Sequence, residues 1–322
     1  MNEGKMRIAI ATLLLVYSCA VSAQTYPTKP VRFIVPYAPG GGADVMARIV
    51  APRLGAALGQ QIIIDNRGGA GGNIGSEAGA KAPPDGYTLL LGAAALTINV
   101  SLYSRLNFDP VKDLTPIALL AKSPNIVVVH PSLPVASVKD LIALARARPG
   151  QLNYASAGSG TTPHLAAELF KTMAKVQIVH VPYNGTSPAM VALMAGEVTL
   201  ALAPALPVLP HVQSGRLRAL AITSVTRMPS LPNLPTVSEA ALPGFESAQW
   251  YGVLVPAGTP AAIVSRLNAE IVKIMRLPDV NEQMTRQGSI VVGSTPEEFS
   301  AYIRAEIDKW AKVVKASGAK VE

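Results

Sequence analysis

Glycine-rich loops between a strand pattern and a helix pattern are the feature that most constrains this chain of 322 residues. The first loop follows the β-like run VRFIVPY and reads APGGGAD, after which apolar residues recur at the helical period as far as Leu58. The same order returns at residues 65–76, DNRGGAGGNIGS, and at residues 154–164, YASAGSGTTPH. Strand and helix patterns alternate along the rest of the chain, which predicts an α/β fold with largely parallel sheets.

The hydrophobic periodicity and the turn residues predict the bounds of most elements. The candidate strands are residues 31–36, 61–65, 88–92, 126–130, 152–156, 177–181, 199–203, 217–223 and 250–255. The candidate helices include residues 44–58, 138–146, 163–173, 188–194, 260–275 and 296–317.

In an α/β sheet, the loops from strand to helix lie at the carboxyl ends of the strands, where ligands bind. The start of a helix presents N–H groups without intrahelical partners and a partial positive charge. Glycine lets the main chain approach an anion closely, because a Cβ would hold the anion away. Two such loops facing each other can bind a carboxylate without an arginine. We therefore expect an anion site made of main-chain amides.

Several side chains in these loops have two interpretations. Asp44 either caps the helix that follows it or binds a ligand amine or a bridging water. Ser159, Thr161 and Thr162 either cap a helix or contact the ligand. His164 is a packed or capping histidine, or else a ligand group.

The N-terminal residues 1–23 have the pattern of a secretory signal peptide. Lys5 and Arg7 precede an apolar run at residues 8–20, and VSA offers small residues for cleavage before Gln24. The apolar run is too short to span a bilayer. The only cysteine, Cys19, falls inside this segment, so the mature chain would have no disulfide or thiolate chemistry. An alternative is that Cys19 is lipidated.

The charge pattern gives no sign of a nucleic-acid partner. The formal net charge of the whole chain is +8, and removal of Lys5, Arg7 and Glu3 with the signal leaves +7. The positive residues are scattered singly, without runs or interleaved aromatic residues. This distribution indicates only a mild attraction for small anions.

Motifs that commit a chain to a cofactor, a metal or a reaction are missing from the sequence. The spacing G-x-G-x-x-G fails in all three glycine loops, and no Gly-Lys-Ser/Thr or G-x-S-x-G occurs. The four histidines are far apart and none has a metal-ligand spacing. We therefore expect no cofactor, no metal and no enzymatic activity. A secreted hydrolase with a triad assembled from distant residues is the alternative.

Seven segments in matching order resemble the Bug (TctC-like) family, whose members are periplasmic solute-binding receptors of tripartite tricarboxylate transporters. They read YPTKPVRFIVPYAPGGGADVMAR, DNRGGAGGNIGSE, PPDGYTLLLG, YASAGSGTTPHLAAELF, VPYNGTSPA, LPTVSEAALPGFE and WYGVLVPAGTP. The resemblance extends over essentially the whole mature chain.

The resemblance implies a two-domain Venus flytrap fold with the ligand in the cleft between the domains. Domain 1 would comprise residues 24–124 and 243–322, and domain 2 residues 125–242. The chain would be a periplasmic monomer that captures a small organic carboxylate and delivers it to a membrane permease. A receptor that feeds a signalling system would have the same fold and is the alternative function.

The family pattern places carboxylate-holding loops at residues 39–44 and 158–164, with ordered waters as bridges. The ligand-binding residues expected from the loops and the resemblance are Tyr37, Pro39, Gly40, Gly41, Gly42, Ala43, Asp44, Ala94, Gly158, Ser159, Gly160, Thr161, Thr162, His164, Tyr183, Asn184 and Ala203. The chain departs from the pattern at Leu96, where relatives frequently carry a histidine, and at Thr199, where they often carry an acid. Leu96 and the neighbouring alanines predict a ligand with an apolar or aromatic body rather than a citrate-like polyanion.

Overall fold

The computed structural model describes residues 26–183, 185–286 and 288–319. The predicted signal peptide with Cys19, and the candidate residue Asn184, lie outside the described residues. Within the described ranges, none of the helices combines the length and the apolar character that a membrane span requires.

Strands and helices alternate along the described chain. The strands are β1 (Val31–Val35), β2 (Ile62–Asn66), β3 (Thr88–Ala93), β4 (Leu114–Val129), β5 (Asn153–Ser156), β6 (Val179–Pro182), β7 (Leu200–Pro204), β8 (Arg218–Ile222), β9 (Ala248–Pro256) and β10 (Ile290–Val291). The α-helices are α1 (Gly42–Leu58), α2 (Asn73–Ala80), α3 (Ala95–Leu102), α4 (Val138–Ala147), α5 (Thr162–Ala174), α6 (Thr186–Met194), α7 (Ala205–Gln213), α8 (Val237–Ala240), α9 (Ala261–Met275), α10 (Pro278–Arg286) and α11 (Pro296–Ser317). A short 3-10 helix, Ala70–Gly72, precedes α2.

The strands form one continuous path in the order β2-β1-β3-β9-β4-β7-β5-β6, and β8 and β10 also pair with β4. The outer pairs, β1 with β2 and β3, and β5 with β6 and β7, are parallel. The prediction of largely parallel sheets is wrong for the centre, where β4 and β9 are antiparallel to each other and to their other neighbours. These two strands run in opposite directions through the middle of the molecule and therefore pair antiparallel with each other.

Strand β4 belongs to two sheets because it changes partners along its length. Its residues from Leu114 to Pro124 pair with β9, whereas those from Asn125 to Val129 pair with β7 and β8. The sequence predicted only the second half of this strand, because Pro116 and Pro124 interrupt the first half and proline is unfavourable in central strands. The change of partner supports the predicted domain boundary at residues 124/125, which stays a proposal.

Buried side chains form one core on each side of this crossing and a third core that extends across it. One core packs α1 and α9 against β1, β3 and β9, around Phe33, Leu54 and Ile271. Another packs α6 and α7 around Val128 and Leu193. A third core extends through both sides and includes α11. Each lobe therefore has apolar contacts of its own, as the predicted two-domain organisation requires.

Thr223, which follows β8, ties the two crossing segments together. Its hydroxyl accepts a hydrogen bond from the backbone amide of Asn125 at 2.8 Å and donates one to the backbone carbonyl of Ser247 at 2.5 Å. Its main chain also bonds to both residues. All three residues are almost fully buried. Since buried polar groups are costly when unpaired, this hydroxyl holds the junction in one geometry.

We expect Thr223→Val to lower the free energy of unfolding by about 2 kcal/mol, because the Asn125 amide and the Ser247 carbonyl lose their partner in a buried position. Urea denaturation measures the change. Thr115→Val on β4, where the hydroxyl has no hydrogen bond among the described residues, is the matched control and should change the stability little. Equal effects of the two variants would contradict the role assigned to Thr223.

Candidate functional site

The first glycine loop leads from β1 into α1 and leaves the start of the helix without a side-chain cap. Gly40 has a φ of +84°, a conformation that favours glycine, and Gly41 is the N-cap residue with φ −77° and ψ 168°. No side chain caps the helix by accepting a hydrogen bond from its first amides. The first amides of α1 are therefore available to a ligand or to water.

Asp44 lies in the first turn of α1 and holds the loop in place. Its carboxylate accepts hydrogen bonds from the Gly40 amide at 2.9 Å, Arg48 Nε at 2.8 Å and Asn66 Nδ2 at 3.0 Å. The bond from Arg48 and the others hold the pKa of Asp44 at about 2, against the cost of burial. The N-cap interpretation of Asp44 is wrong, because Gly41 occupies that position.

The glycine loop within residues 154–164, between β5 and α5, has nearly the same backbone shape as the loop between β1 and α1. Gly160 has a φ of +77°, and the N-cap residue Thr161 has φ −72° and ψ 159° without a side-chain cap bond. The Thr161 hydroxyl donates instead to the Gly158 carbonyl at 2.6 Å. The Gly160 amide donates to His164 Nδ1 at 3.0 Å. In both loops, the third residue of the helix thus accepts a hydrogen bond from a left-handed glycine four residues earlier.

A cavity of about 540 Å³ lies where the two helix starts approach each other. This volume is in the range of small-molecule sites. The residues that line it are Tyr37, Gly42, Val45, Met46, Gly71, Ala95, Ile98, Asn99, Leu102, Tyr103, Ser123, Asn125, Ala157, Ser159, Gly160, Thr161, Thr162, Pro163, Thr186, Pro204, Ala205, Pro207, Gln249, Tyr251 and Gly288. They come from both lobes and from the crossing strands.

The described lining of this cavity contains no charged side chain. Val45 and Met46 of α1, with Ile98 and Leu102 of α3, give it an apolar wall. Asn125 lines it at the crossing, is 2% exposed, and its side-chain nitrogen has no hydrogen-bond partner among the described residues. The cavity therefore combines neutral donors with an apolar surface.

The structure brings together some of the predicted site residues at this cavity and places others behind it. Tyr37, Gly42, Ser159, Gly160, Thr161 and Thr162 line it. Pro39, Gly40, Gly41, Ala43, Asp44, Ala94, Gly158, His164, Tyr183 and Ala203 do not line it. Direct ligand contact by any of these residues stays a prediction. Asp44 and His164 act on the loops through the hydrogen bonds described above.

Gln249 and Tyr251 on β9 are lining residues that sequence reasoning missed. Gln249 Oε1 accepts a hydrogen bond from the Thr162 hydroxyl at 3.0 Å, which links the start of α5 to the crossing strand. A Cβ on Gly42 would lie 2.5 Å from the Tyr251 hydroxyl oxygen, so this contact requires glycine. Burial raises the pKa of Tyr251 to about 12, so its hydroxyl stays protonated. The segment WYG predicted the strand, but it did not indicate a role in binding.

The remaining glycine loop, which contains the 3-10 helix, supports the site from outside. Asn99 of α3 donates to the Gly71 carbonyl at 3.1 Å and to Asn73 Oδ1 at 2.8 Å. A Cβ on Gly72 would lie 3.1 Å from the ring of Tyr37. This loop therefore packs against lining residues, and only Gly71 of it reaches the cavity.

Among the residues that the structure describes, no group of three histidine, cysteine, aspartate or glutamate side chains is arranged to hold a metal ion.

Two α/β lobes, two crossing strands and a neutral cleft between helix starts define a solute-binding protein of the Venus flytrap class. The sequence profile of the family described as "Tripartite tricarboxylate transporter family receptor", TctC, matches residues 46–319. The chain belongs to the TctC family. The resemblance to the Bug family that the sequence indicated is thereby confirmed.

Named relatives support this membership. Protein BugT of Bordetella pertussis is 40% identical over 326 residues, which cover 100% of both chains. Among solved structures, Rpa4515 of R. palustris with adipate is 40% identical, with a TM-score of 0.75 over 91% of this chain and 98% of the other. MatC of Rhodopseudomonas palustris with bound malate is 33% identical, with a TM-score of 0.72 over 90% and 100%. The two-domain α/β fold of the family is the fold observed.

We expect Asp44→Ala to lower the free energy of unfolding by about 2 kcal/mol, because a buried carboxylate that accepts three hydrogen bonds is lost. Asp44→Asn, which keeps one acceptor oxygen, should lose less. Since the folded-state pKa is about 2 and the ordinary value 3.8, the stabilisation is complete above pH 3.8 and is lost as the pH falls through 2. The gap between wild type and Asp44→Ala in urea denaturation should thus be constant from pH 8 to 5.

A gap that shrinks between pH 8 and 5 would contradict this assignment, because a carboxylate with so low a pKa does not titrate there.

Proposed function

We propose that the protein is a periplasmic receptor that encloses a small organic carboxylate with an apolar body and delivers it to a membrane permease. The observation that carries the proposal is that uncapped, glycine-lined helix starts of both lobes line one neutral cavity. The family is one of solute-binding receptors, which supports the same conclusion.

Main-chain amides are the groups suited to bind the carboxylate here. The first amides of α1 and α5 have no intrahelical acceptor and lie at the positive ends of the helix dipoles. Gly42 of one loop and Ser159 and Gly160 of the other line the cavity, and no lysine or arginine among the described residues does. A negative group placed between the loops would therefore be held by dipoles of both lobes.

The apolar wall supports a ligand body of alkyl or aromatic character. Leu96, which suggested this body from the sequence, is buried in the core and does not line the cavity. Its neighbours on α3, Ile98 and Leu102, and Met46 on α1 form the wall instead. A second or third carboxylate placed against these side chains would lose its hydration without gaining a cation.

Bound ligand would favour the closed arrangement of the lobes because it contacts both at once. The bond from Thr162 to Gln249 already connects the start of α5 to a crossing strand beside the cavity. Closure around an anion would bring together the contacts from Gly42 of one lobe and from the start of α5 in the other, both of which line the cavity.

Relatives support the carboxylate and the transport role. Two solved relatives, Rpa4515 and MatC, contain adipate and malate respectively, and the family is that of tripartite tricarboxylate transporter receptors. Capture by this chain of an acid of the same chemical class, and delivery to such a permease, follow as the function we infer.

A thermal-shift panel of benzoate, hexanoate, adipate, malate and citrate tests the ligand class. An acid bound only by the folded state at about 100 times its Kd contributes about 2.7 kcal/mol, which corresponds to a rise in Tm of about 5 °C. We expect this rise for at least one acid with an apolar body, and little or none for citrate. The largest shift with citrate or malate would contradict the apolar body, and no shift with any carboxylate would contradict the ligand class.

The control for this panel is Gly41→Val. The φ of Gly41, −77°, suits any residue, and the nearest atom to an added Cβ is 3.8 Å away, so the unliganded fold should keep its Tm. The valine would cover the first amides of α1 and remove the shift. A shift as large as that of wild type would exclude this loop from the site.

Uptake of a radiolabelled acid from the panel tests delivery. Deleting the gene should abolish uptake of the acid that stabilises the protein, and the wild-type gene, but not Gly41→Val, should restore it. Normal uptake together with a lost transcriptional response to the acid would instead identify a sensory receptor.

A further inference from the structure

Two stacked imidazole rings support the glycine loop that precedes α5. The rings of His164 and His180 lie with their centroids 4.2 Å apart and their planes 19° from parallel. His164 Nδ1 accepts the Gly160 amide at 3.0 Å. His180 Nε2 lies 2.6 Å from the Ser156 hydroxyl, which accepts the Gly158 amide at 3.1 Å. Gly160 is thus bonded to the histidine pair directly and Gly158 through Ser156, and both glycines have a positive φ.

The hydrogen bond from Gly160 fixes the protonation state of His164. A backbone amide can only donate, so Nδ1 must carry a lone pair, and the ring must be the neutral tautomer with its proton on Nε2. The Ser156 hydroxyl can donate or accept, so His180 is under no such constraint. His164 is therefore the member of the pair whose protonation breaks a bond to the loop.

The surroundings of His164 favour the neutral ring. The groups that face it are Tyr154 on β5, His180 on β6, and Glu168 and Lys171 on α5. Tyr154 and Lys171 both donate to Glu168 Oε1 at 2.6 Å, so the nearby carboxylate is already paired. Burial is the largest influence on the pKa of His164 and lowers it below its ordinary value of 6.5, while Glu168 acts to raise it and Lys171 to lower it. Burial lowers the pKa of His180 to about 4.

We propose that His164 is a positioning residue of the ligand site, which holds Gly160 in shape only as a neutral acceptor and releases the loop when the ring is protonated. The corresponding acceptor in the first lobe, Asp44, is a carboxylate and does not share this behaviour. The consequence for ligand affinity rests on the proposed function, whereas the consequence for the loop does not.

Protonation would act on the site through the backbone of the loop. A proton on Nδ1 would oppose the Gly160 N–H to a second N–H, so the glycine has to move away. Ser159, Gly160 and Thr161 line the cavity, so a movement of Gly160 would displace the part of the loop that forms the site. We expect a loss of affinity of about tenfold, the size that corresponds to the net value of one such hydrogen bond.

Nuclear magnetic resonance of the unliganded protein tests the hydrogen bond itself. The His164 ring nitrogens should show the Nε2–H tautomer at pH 7.5, and the Gly160 amide shift should follow the His164 titration as the pH falls to 4. In His164→Asn the side-chain oxygen replaces Nδ1 as acceptor without titrating, so the Gly160 shift should stay constant. An Nδ1–H tautomer, or a Gly160 amide that does not respond to the titration, would overturn the proposal.

Calorimetry with benzoate and adipate at pH 7.5 and across the His164 titration tests the effect on binding. Wild type should lose about tenfold in affinity on protonation, His164→Asn should lose only what protonation of the acid itself causes, and His164→Ala should bind weakly throughout. His130→Asn, which changes a histidine bonded to Ser132 in the same lobe, should follow wild type. Equal pH dependence in wild type and His164→Asn would overturn the proposal.

Failure of the proposed function would give a different pattern from failure of this inference. If none of the five panel acids binds at pH 7.5, the carboxylate assignment is contradicted, and the ring tautomer and the Gly160 titration still decide the role of His164.

Discussion

One hydrogen bond, repeated in each lobe, sets the shape on which the site depends. A left-handed glycine donates its amide to the third residue of the following helix, from Gly40 to Asp44 and from Gly160 to His164. Because that side chain reaches back outside the helix, it does not cap the first turn. The amides that a cap would satisfy stay directed at the cleft. This bond fixes the shape of the loop and leaves the first amides of the helix without a side-chain acceptor.

The crossing strands place these loops opposite each other. β4 changes partners at Asn125, β9 runs beside it in the opposite direction, and Thr223 joins both through buried hydrogen bonds. Residues of the same strands, Asn125 and Gln249, then line the cavity. Backbone at the crossing therefore also forms part of the cavity surface, so a change in the angle between the lobes would change the cavity.

Local patterns predicted much of this arrangement, and long-range pairing supplied the rest. The helix predicted at residues 296–317 is observed as Pro296–Ser317, and the strand at 31–36 as Val31–Val35, because periodicity and turn residues are local signals. The glycine loops were predicted for the same reason. The first half of β4 was missed because its prolines are tolerated only through pairing with β9. Gln249 and Tyr251 were missed because β9 places them at the cavity from far along the chain.

A neutral cleft has a physical advantage for the proposed function, in which the bound acid is released again. An arginine in the cavity would attract an anion strongly, but it would stay buried and unpaired in the closed, empty state, which costs several kcal/mol. Amide dipoles at Gly42 and at the start of α5 are fixed by the loops and would be hydrated by water in the absence of a ligand. In the proposed function, selectivity would depend on the rest of the ligand, because Met46, Ile98 and Leu102 would favour an apolar body while the amides would accept any carboxylate. The two loops would then set the class of the bound group, and the apolar wall would distinguish members within that class.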